Sequence, residues 1–190
     1  MNSSQLILLR LKGFAKSELL ADGGEALIAA GHVELARLGL RLTAAGRAAA
    51  DAAWTAERTT VAADSLERVH AAFVALNTQF KTLVADWQLR NGMPNDHTDA
   101  AYDADIIARL ATIDDALGPV LVDATALVAR LERYQPAFAA ALERLRNGEA
   151  RWMAAPIIDS YHTLWFELHE ELIRLTGRTR AAEAAAGHAA

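Results

Sequence analysis

Gln5-Leu-Ile-Leu-Leu-Arg-Leu-Lys-Gly-Phe14 opens, and Leu42-Thr-Ala-Ala-Gly-Arg47 closes, the stretch whose reading decides the fold. Leu6-Ile7-Leu8-Leu9 and Leu11 give a helical pattern. A second short amphipathic run, Lys16-Ser-Glu-Leu-Leu-Ala21, is followed by a third, Glu25-Ala-Leu-Ile-Ala-Ala-Gly31. Two pieces with strand character follow, His32-Val-Glu-Leu-Ala36 and Leu40-Arg-Leu42. The predicted order is helix, helix, helix, hairpin, and then a helix leaving through Ala48 to about Arg58.

From Thr43 onward the pattern is helical only, with a period near 3.6. One helix is predicted from about Asp64 to Arg90, its apolar stripe running through Leu66, Val69, Phe73, Leu76, Phe80, Leu83, Val84 and Trp87, and Asn91-Gly-Met-Pro94 ends it. Further helices are expected at about Ala100–Leu117, Pro119–Tyr134, Pro136–Arg146 and Ile157–Leu175, with Gly118-Pro119 and Gln135-Pro136 as the breaks. The alanine-rich end from Gly177 to Ala190 is expected to fray. The fold class is therefore mainly α, with residues 1–58 as a small leading unit, 59–176 as an all-α helical bundle and 177–190 as a flexible tail.

With no cysteine in the chain, disulfides, thiolate zinc sites and cysteine nucleophiles are excluded. No apolar run reaches the roughly 18–20 residues that cross a bilayer, and Met1-Asn-Ser-Ser-Gln5 lacks a basic signal region, so a cytoplasmic protein with no membrane partner is expected. The formal net charge is -5, but residues 1–58 carry seven Lys or Arg against six acids. The leading unit is thus the less acidic part, as contact with DNA would require. Lys12, Lys16, Arg37 and Arg41 are the residues placed to touch phosphates.

Pro156-Ile-Ile-Asp-Ser-Tyr-His-Thr-Leu-Trp-Phe-Glu-Leu-His-Glu-Glu-Leu-Ile173 is the most distinctive helix. At about 100° per residue, Ser160, Thr163, Glu167, Glu170, Glu171 and Arg174 share a face expected to be wet. Ile158, Tyr161, Trp165, Phe166, Leu168, Leu172 and Ile173 form the apolar arc, and His162 and His169 fall inside it. Buried imidazoles need partners. Internal hydrogen bonds, a small-molecule pocket lined by Trp87, Tyr161, His162, Trp165 and His169, and a metal are the three ways to supply them. His162 and His169 are seven residues apart, about 10 Å along a helix, too far to share one ion. A divalent metal would instead take Asp159 and His162, joined by Asp96 and His97 from the polar run Asn95–Asp105. Helix capping is the other reading of that polar run. No P-loop, Gly-x-Gly-x-x-Gly, Gly-x-Ser-x-Gly or His-Glu-x-x-His occurs, so no recognised catalytic motif supports an enzyme.

The order of elements up to Arg47 resembles the winged helix-turn-helix of bacterial regulators, and Leu42-Thr-Ala-Ala-Gly-Arg47 resembles the exit from a MarR-like wing. Together with Leu76-Asn77, Asp86-Trp-Gln-Leu-Arg90, Asn95-Asp-His97, Tyr102-Asp103 and the run Asp159–Glu171, these segments resemble a family from high-GC Gram-positive bacteria. Its members look like standalone winged-helix regulators or like C-terminal extensions of pyruvate phosphate dikinase-type PEP-utilising enzymes. The resemblance implies a degenerate winged helix-turn-helix followed by a helical bundle, and the function expected of that arrangement is a transcriptional regulator-like protein with a helical effector or dimerisation domain. A homodimer is the expected assembly, and a small-molecule effector is a candidate partner. The alternative is a small-molecule or metal-binding accessory protein that has lost sequence-specific DNA binding. Where the family pattern has about ten more residues before the third helix, only Asp22-Gly-Gly-Glu25 remains, so DNA binding is expected to be weak and sequence-blind.

Overall fold

The computed structural model describes residues 3–15, 24–37 and 39–187. Two compact units divide the chain, Met1–Val61 and Ala62–Ala190. The run Lys16–Ala21 lies outside the described residues.

In the first unit, α1 (Ser3–Lys12) turns Leu6, Ile7 and Leu9 inward and packs on α3 (Ala44–Thr59), which buries Ala50 and Trp54. Gly13, at φ +74°, lets the chain leave α1, and Ala15 then pairs with Leu40 through two backbone hydrogen bonds of 2.8 and 2.9 Å. The helix α2 spans Gly24–Ala29, six residues, and buries Leu27. Strands β1 (Val33–Ala36) and β2 (Gly39–Leu42) pair antiparallel with Val33 opposite Leu42 and Glu34 opposite Arg41. Alternation sends Val33, Leu40 and Leu42 into the core and leaves Glu34 and Arg41 outside.

The Leu42–Arg47 motif has a structural explanation. Thr43 caps α3: its hydroxyl accepts from the Gly46 N–H at 3.1 Å and donates to the Gly31 carbonyl at 2.7 Å. Gly46 faces the His32 carbonyl so closely that a Cβ there would sit 1.9 Å from its oxygen. Arg47 donates to the Leu42 carbonyl at 2.9 Å. The motif clamps the end of the hairpin to the start of α3.

In the second unit, α4 (Ala63–Gln88) buries the expected stripe except Leu76, which is half-buried, and adds His70 and Asn77 to it. Asn91 and Gly92, at φ +52° and +78°, turn the chain between the two-residue strands β3 (Leu89–Arg90) and β4 (Met93–Pro94). This small hairpin falls where only helices were expected. The helix α5 (Ala100–Leu127) runs straight through Gly118-Pro119. Pro119 is exposed, while Leu110, Ile113 and Leu117 before it and Val120, Leu121 and Ala124 after it anchor the helix. The break comes instead at Val128, after which a 3₁₀ turn (Ala129–Arg133) leads into α6 (Tyr134–Arg146), with Pro136 in the first turn.

A second 3₁₀ turn (Ala150–Trp152) precedes α7 (Tyr161–Leu175), which Ser160 caps and which packs on α4 and α6. The wet face expected for this helix is largely dry. Glu167 and Glu171 are buried, because the first 3₁₀ turn lies across them and supplies Arg133 and Arg130 as partners. Phe166 is 42% exposed and lies under the Arg180 guanidinium, 3.9 Å from its ring centre. The alanine-rich end, expected to fray, holds a short helix among the described residues. Gly177, at φ +74°, ends α7, Thr179 caps α8 (Arg180–Ala185), and Glu183 is buried. Alanine is the strongest helix former, so a capped alanine-rich run needs only one side to pack against in order to hold. No described helix is long and apolar enough to cross a membrane.

Candidate functional site

Of the four expected phosphate contacts, Lys16 lies outside the described residues. Lys12 is half-buried and already engaged, Arg37 is exposed, and Arg41 donates to the Glu34 carboxylate across the hairpin at 2.7 Å. The outward face of α2 presents Glu25, Ala26, Ile28 and Ala29, none of which donates a side-chain hydrogen bond.

Tyr161 and Trp165 occupy the core of the second unit. Trp165 stacks on Phe80, with ring centres 4.2 Å apart, lies 4.8 Å from Phe73, and donates its indole N–H to Asn77 Oδ1 at 2.9 Å. Tyr161 packs against Phe80 and Phe138 and donates to Asp114 at 2.8 Å. Burial raises the Asp114 carboxyl above the usual carboxylate range even against that hydrogen bond. Trp87 sits at the hairpin end of α4, where its ring lies 4.4 Å from that of His97. The five residues expected to line one pocket thus take different packing roles.

The polar run after β4 is a set of local caps. Asp96 accepts from the Thr98 N–H and hydroxyl, and these bonds hold its carboxyl below the usual range. Asp99 caps α5 and accepts from Arg90 at 2.7 Å. His97, at φ +58°, places Nδ1 3.0 Å from Asp103, with Asn95 bridging Asp103 and the Trp87 carbonyl. Asp159 is exposed and precedes α7, and His162 is half-buried against Phe80. Asp96, His97, Asp159 and His162 do not converge as the metal set expected of them. Among the described residues, the three-donor group found is His70, His169 and Glu183.

This group comes from three helices. His70 lies on the core stripe of α4, between Leu66 and Phe73. His169 is on α7, its ring 5.2 Å from Phe73 and 6.4 Å from His70. Glu183 comes from α8, with Oε2 3.5 Å from His70 Nε2 and Oε1 accepting from Arg178 at 3.1 Å. All three residues are at most 2% exposed, and one donor atom from each lies within 4.8 Å of the others. Both ring nitrogens of His169 are buried without a hydrogen-bond partner. Burial, then the charges of Arg180 and His70, push the His169 imidazole down to about 4, so it is neutral near pH 7.

His169 was the only member visible from the sequence as a site candidate. Its helical period placed it inside, and that part holds. His70 carried the same signal, at i+4 from Leu66 and i−3 from Phe73, but one polar residue on an apolar stripe does not announce a partner. Glu183 gave no signal, because its burial depends on α8 folding back. Compared with models of protein families, with curated proteins and with solved structures, the chain matches none.

Proposed function

We propose that the protein is a winged-helix regulator-like protein whose first unit touches DNA weakly through phosphates and whose helical unit is its effector part. The observation that carries this reading is the order of the first unit. Helix α1, the Ala15 bridge to Leu40, the short helix α2, the β1–β2 hairpin and α3 follow one another as in a winged helix, with Ala15 where a third short strand would join the wing. Phosphate contact needs only exposed cations, which Arg37 provides. Base readout needs several hydrogen-bonding side chains on a helix lying in the major groove, and the face Glu25, Ala26, Ile28 and Ala29 has no such set.

Fluorescence anisotropy with two unrelated duplexes tests this. Both should bind in the range of roughly 10⁻⁴ to 10⁻⁶ M at physiological salt and weaken steeply as salt rises. A nanomolar complex selective for one duplex overturns the sequence-blind part.

A second reading, an accessory helical module that has lost DNA contact, is favoured by one specific observation. Glu34 neutralises Arg41 on the face of the hairpin where a wing would meet phosphate. The same titration decides between them, since this reading requires no binding to either duplex even at about 50 mM salt.

A further inference from the structure

We propose that His70, His169 and Glu183 form a binding site for one divalent transition-metal ion, zinc before others, and that the ion fastens α8 to α4 and α7. Two histidines and one carboxylate are a donor set that zinc takes, whereas magnesium and calcium prefer oxygen alone. Tetrahedral zinc with bonds of about 2.0–2.2 Å sets its ligand atoms about 3.4 Å apart. His70 Nε2 and Glu183 Oε2 already stand at 3.5 Å. The widest donor separation, at most 4.8 Å, exceeds that spacing by about 1.4 Å, which metal binding would have to close by side-chain rotation.

The independent observation that points to a ligand is His169. In the same core Trp165 is matched by Asn77, and Tyr161 by Asp114. His169 is wholly buried, yet neither of its nitrogens has a hydrogen-bond partner. A neutral imidazole in that state offers a free lone pair, which is the form a metal requires.

Paired arginines and glutamates surround the cluster and fix its carboxylate in place. Arg178 is shared between Glu183 and Glu67, at 3.1 and 2.7 Å, and orients the Glu183 carboxylate through the oxygen that does not face His70. Arg180 and Arg174 are both held by Glu170, at 2.8 and 2.7 Å. Three protein donors leave one tetrahedral position for water or a small ligand. The site stands whether or not the first unit touches DNA.

The test is calorimetric titration of the full chain, stripped with a chelator, with zinc chloride. One zinc per chain should bind at micromolar affinity or tighter and raise the thermal midpoint by about 5 °C at saturation. His169→Phe removes both nitrogens yet keeps an apolar ring against Phe73, so it should remain folded while weakening zinc at least about 100-fold and abolishing the midpoint rise. Glu183→Gln, checked by circular dichroism, should weaken zinc at least about 10-fold. His97→Asn, in the other His–Asp pair, should leave binding at the wild-type level. No stoichiometric zinc in the wild type, or wild-type binding in both His169→Phe and Glu183→Gln, overturns the proposal. Loss of binding in His97→Asn alone also overturns it, by placing the ion at the β3–β4 hairpin.

Discussion

Glu171, wholly buried on α7, binds Arg130 from the 3₁₀ turn 41 residues earlier in the chain, and Arg133 binds Glu167 one helical turn away at 3.1 Å. Arg133 also lies over the Tyr134 ring, 4.1 Å from its centre. Burial raises the Tyr134 hydroxyl well above its ordinary range, so it stays neutral and donor-capable beside the two glutamates. The two ion pairs hold the 3₁₀ turn across a helix face that period alone marks as solvated.

Breaking one member of such a pair costs more than removing both, because the survivor is left as an uncompensated buried charge. Arg130→Ala and Glu171→Leu are each expected to lose about 3–5 kcal/mol, whereas the double replacement Arg130→Met with Glu171→Leu should come within about 2 kcal/mol of wild type. Urea unfolding of the four proteins measures this. Additive losses would mean that the carboxylate and the guanidinium are not coupled.

Gly46 has no room for a side chain. A methyl group there would meet the His32 carbonyl oxygen at 1.9 Å, and that oxygen already accepts from the Thr43 N–H at 3.0 Å, so the hairpin end cannot retreat without losing its hydrogen bond. Gly46→Ala is expected to destabilise the first unit by about 1–3 kcal/mol or more, although alanine is otherwise the better helix residue. Amide exchange in β1 and β2 should accelerate while α5 and α7 stay protected. Unchanged protection in the hairpin would show that it does not depend on this clamp.

The pH dependence of stability should carry the signature of His169. Its folded value of about 4 lies below the ordinary 6.5, with Arg180, His70, Glu183 and Glu170 around it. The unfolded chain takes up a proton as pH falls through about 6.5, and the folded chain does not until about 4, so stability is lost across that window and is flat above it. In chelator, moving from pH 7.5 to 4.5 should therefore cost wild type about 2–3 kcal/mol more than it costs His169→Phe. Equal losses in the two proteins would place the imidazole in contact with water.

How far the sequence could be read is set by the kind of contact each residue makes. Leu66, Val69, Phe73, Phe80 and Trp87 were legible because a single helix face is a local property, and so was the alternation of Val33, Leu40 and Leu42. Thr43 and Gly46 were legible as a motif but not as a clamp, since the His32 carbonyl that explains the glycine belongs to another element. Glu167 and Glu171 defeated the wheel because the 3₁₀ turn that covers them follows a break at Val128, not at the proline that should have broken α5. Of the candidate centre, His169 was visible and His70 was visible only in retrospect. Glu183 was not, because composition alone made its helix look like a loose end.

That helix gives the last expectation. Glu183 ties α8 to Arg178, and Arg178 ties the same segment to Glu67 on α4, while Arg180 covers Phe166. Ending the chain at Thr176 therefore uncovers His70, His169 and Phe166 together and removes a buried carboxylate with its partner. The loss expected is on the order of 2 kcal/mol, or about 4–8 °C in the midpoint of the second unit. The boundary between units at Val61 and Ala62 makes a separate fragment the clean vehicle. Limited proteolysis should release a core that begins near Ala62 and retains Glu183, and that core should unfold in one sigmoidal transition. A protease-resistant core that ends before Arg178, with an unchanged midpoint, would show that α8 is not part of the fold in solution.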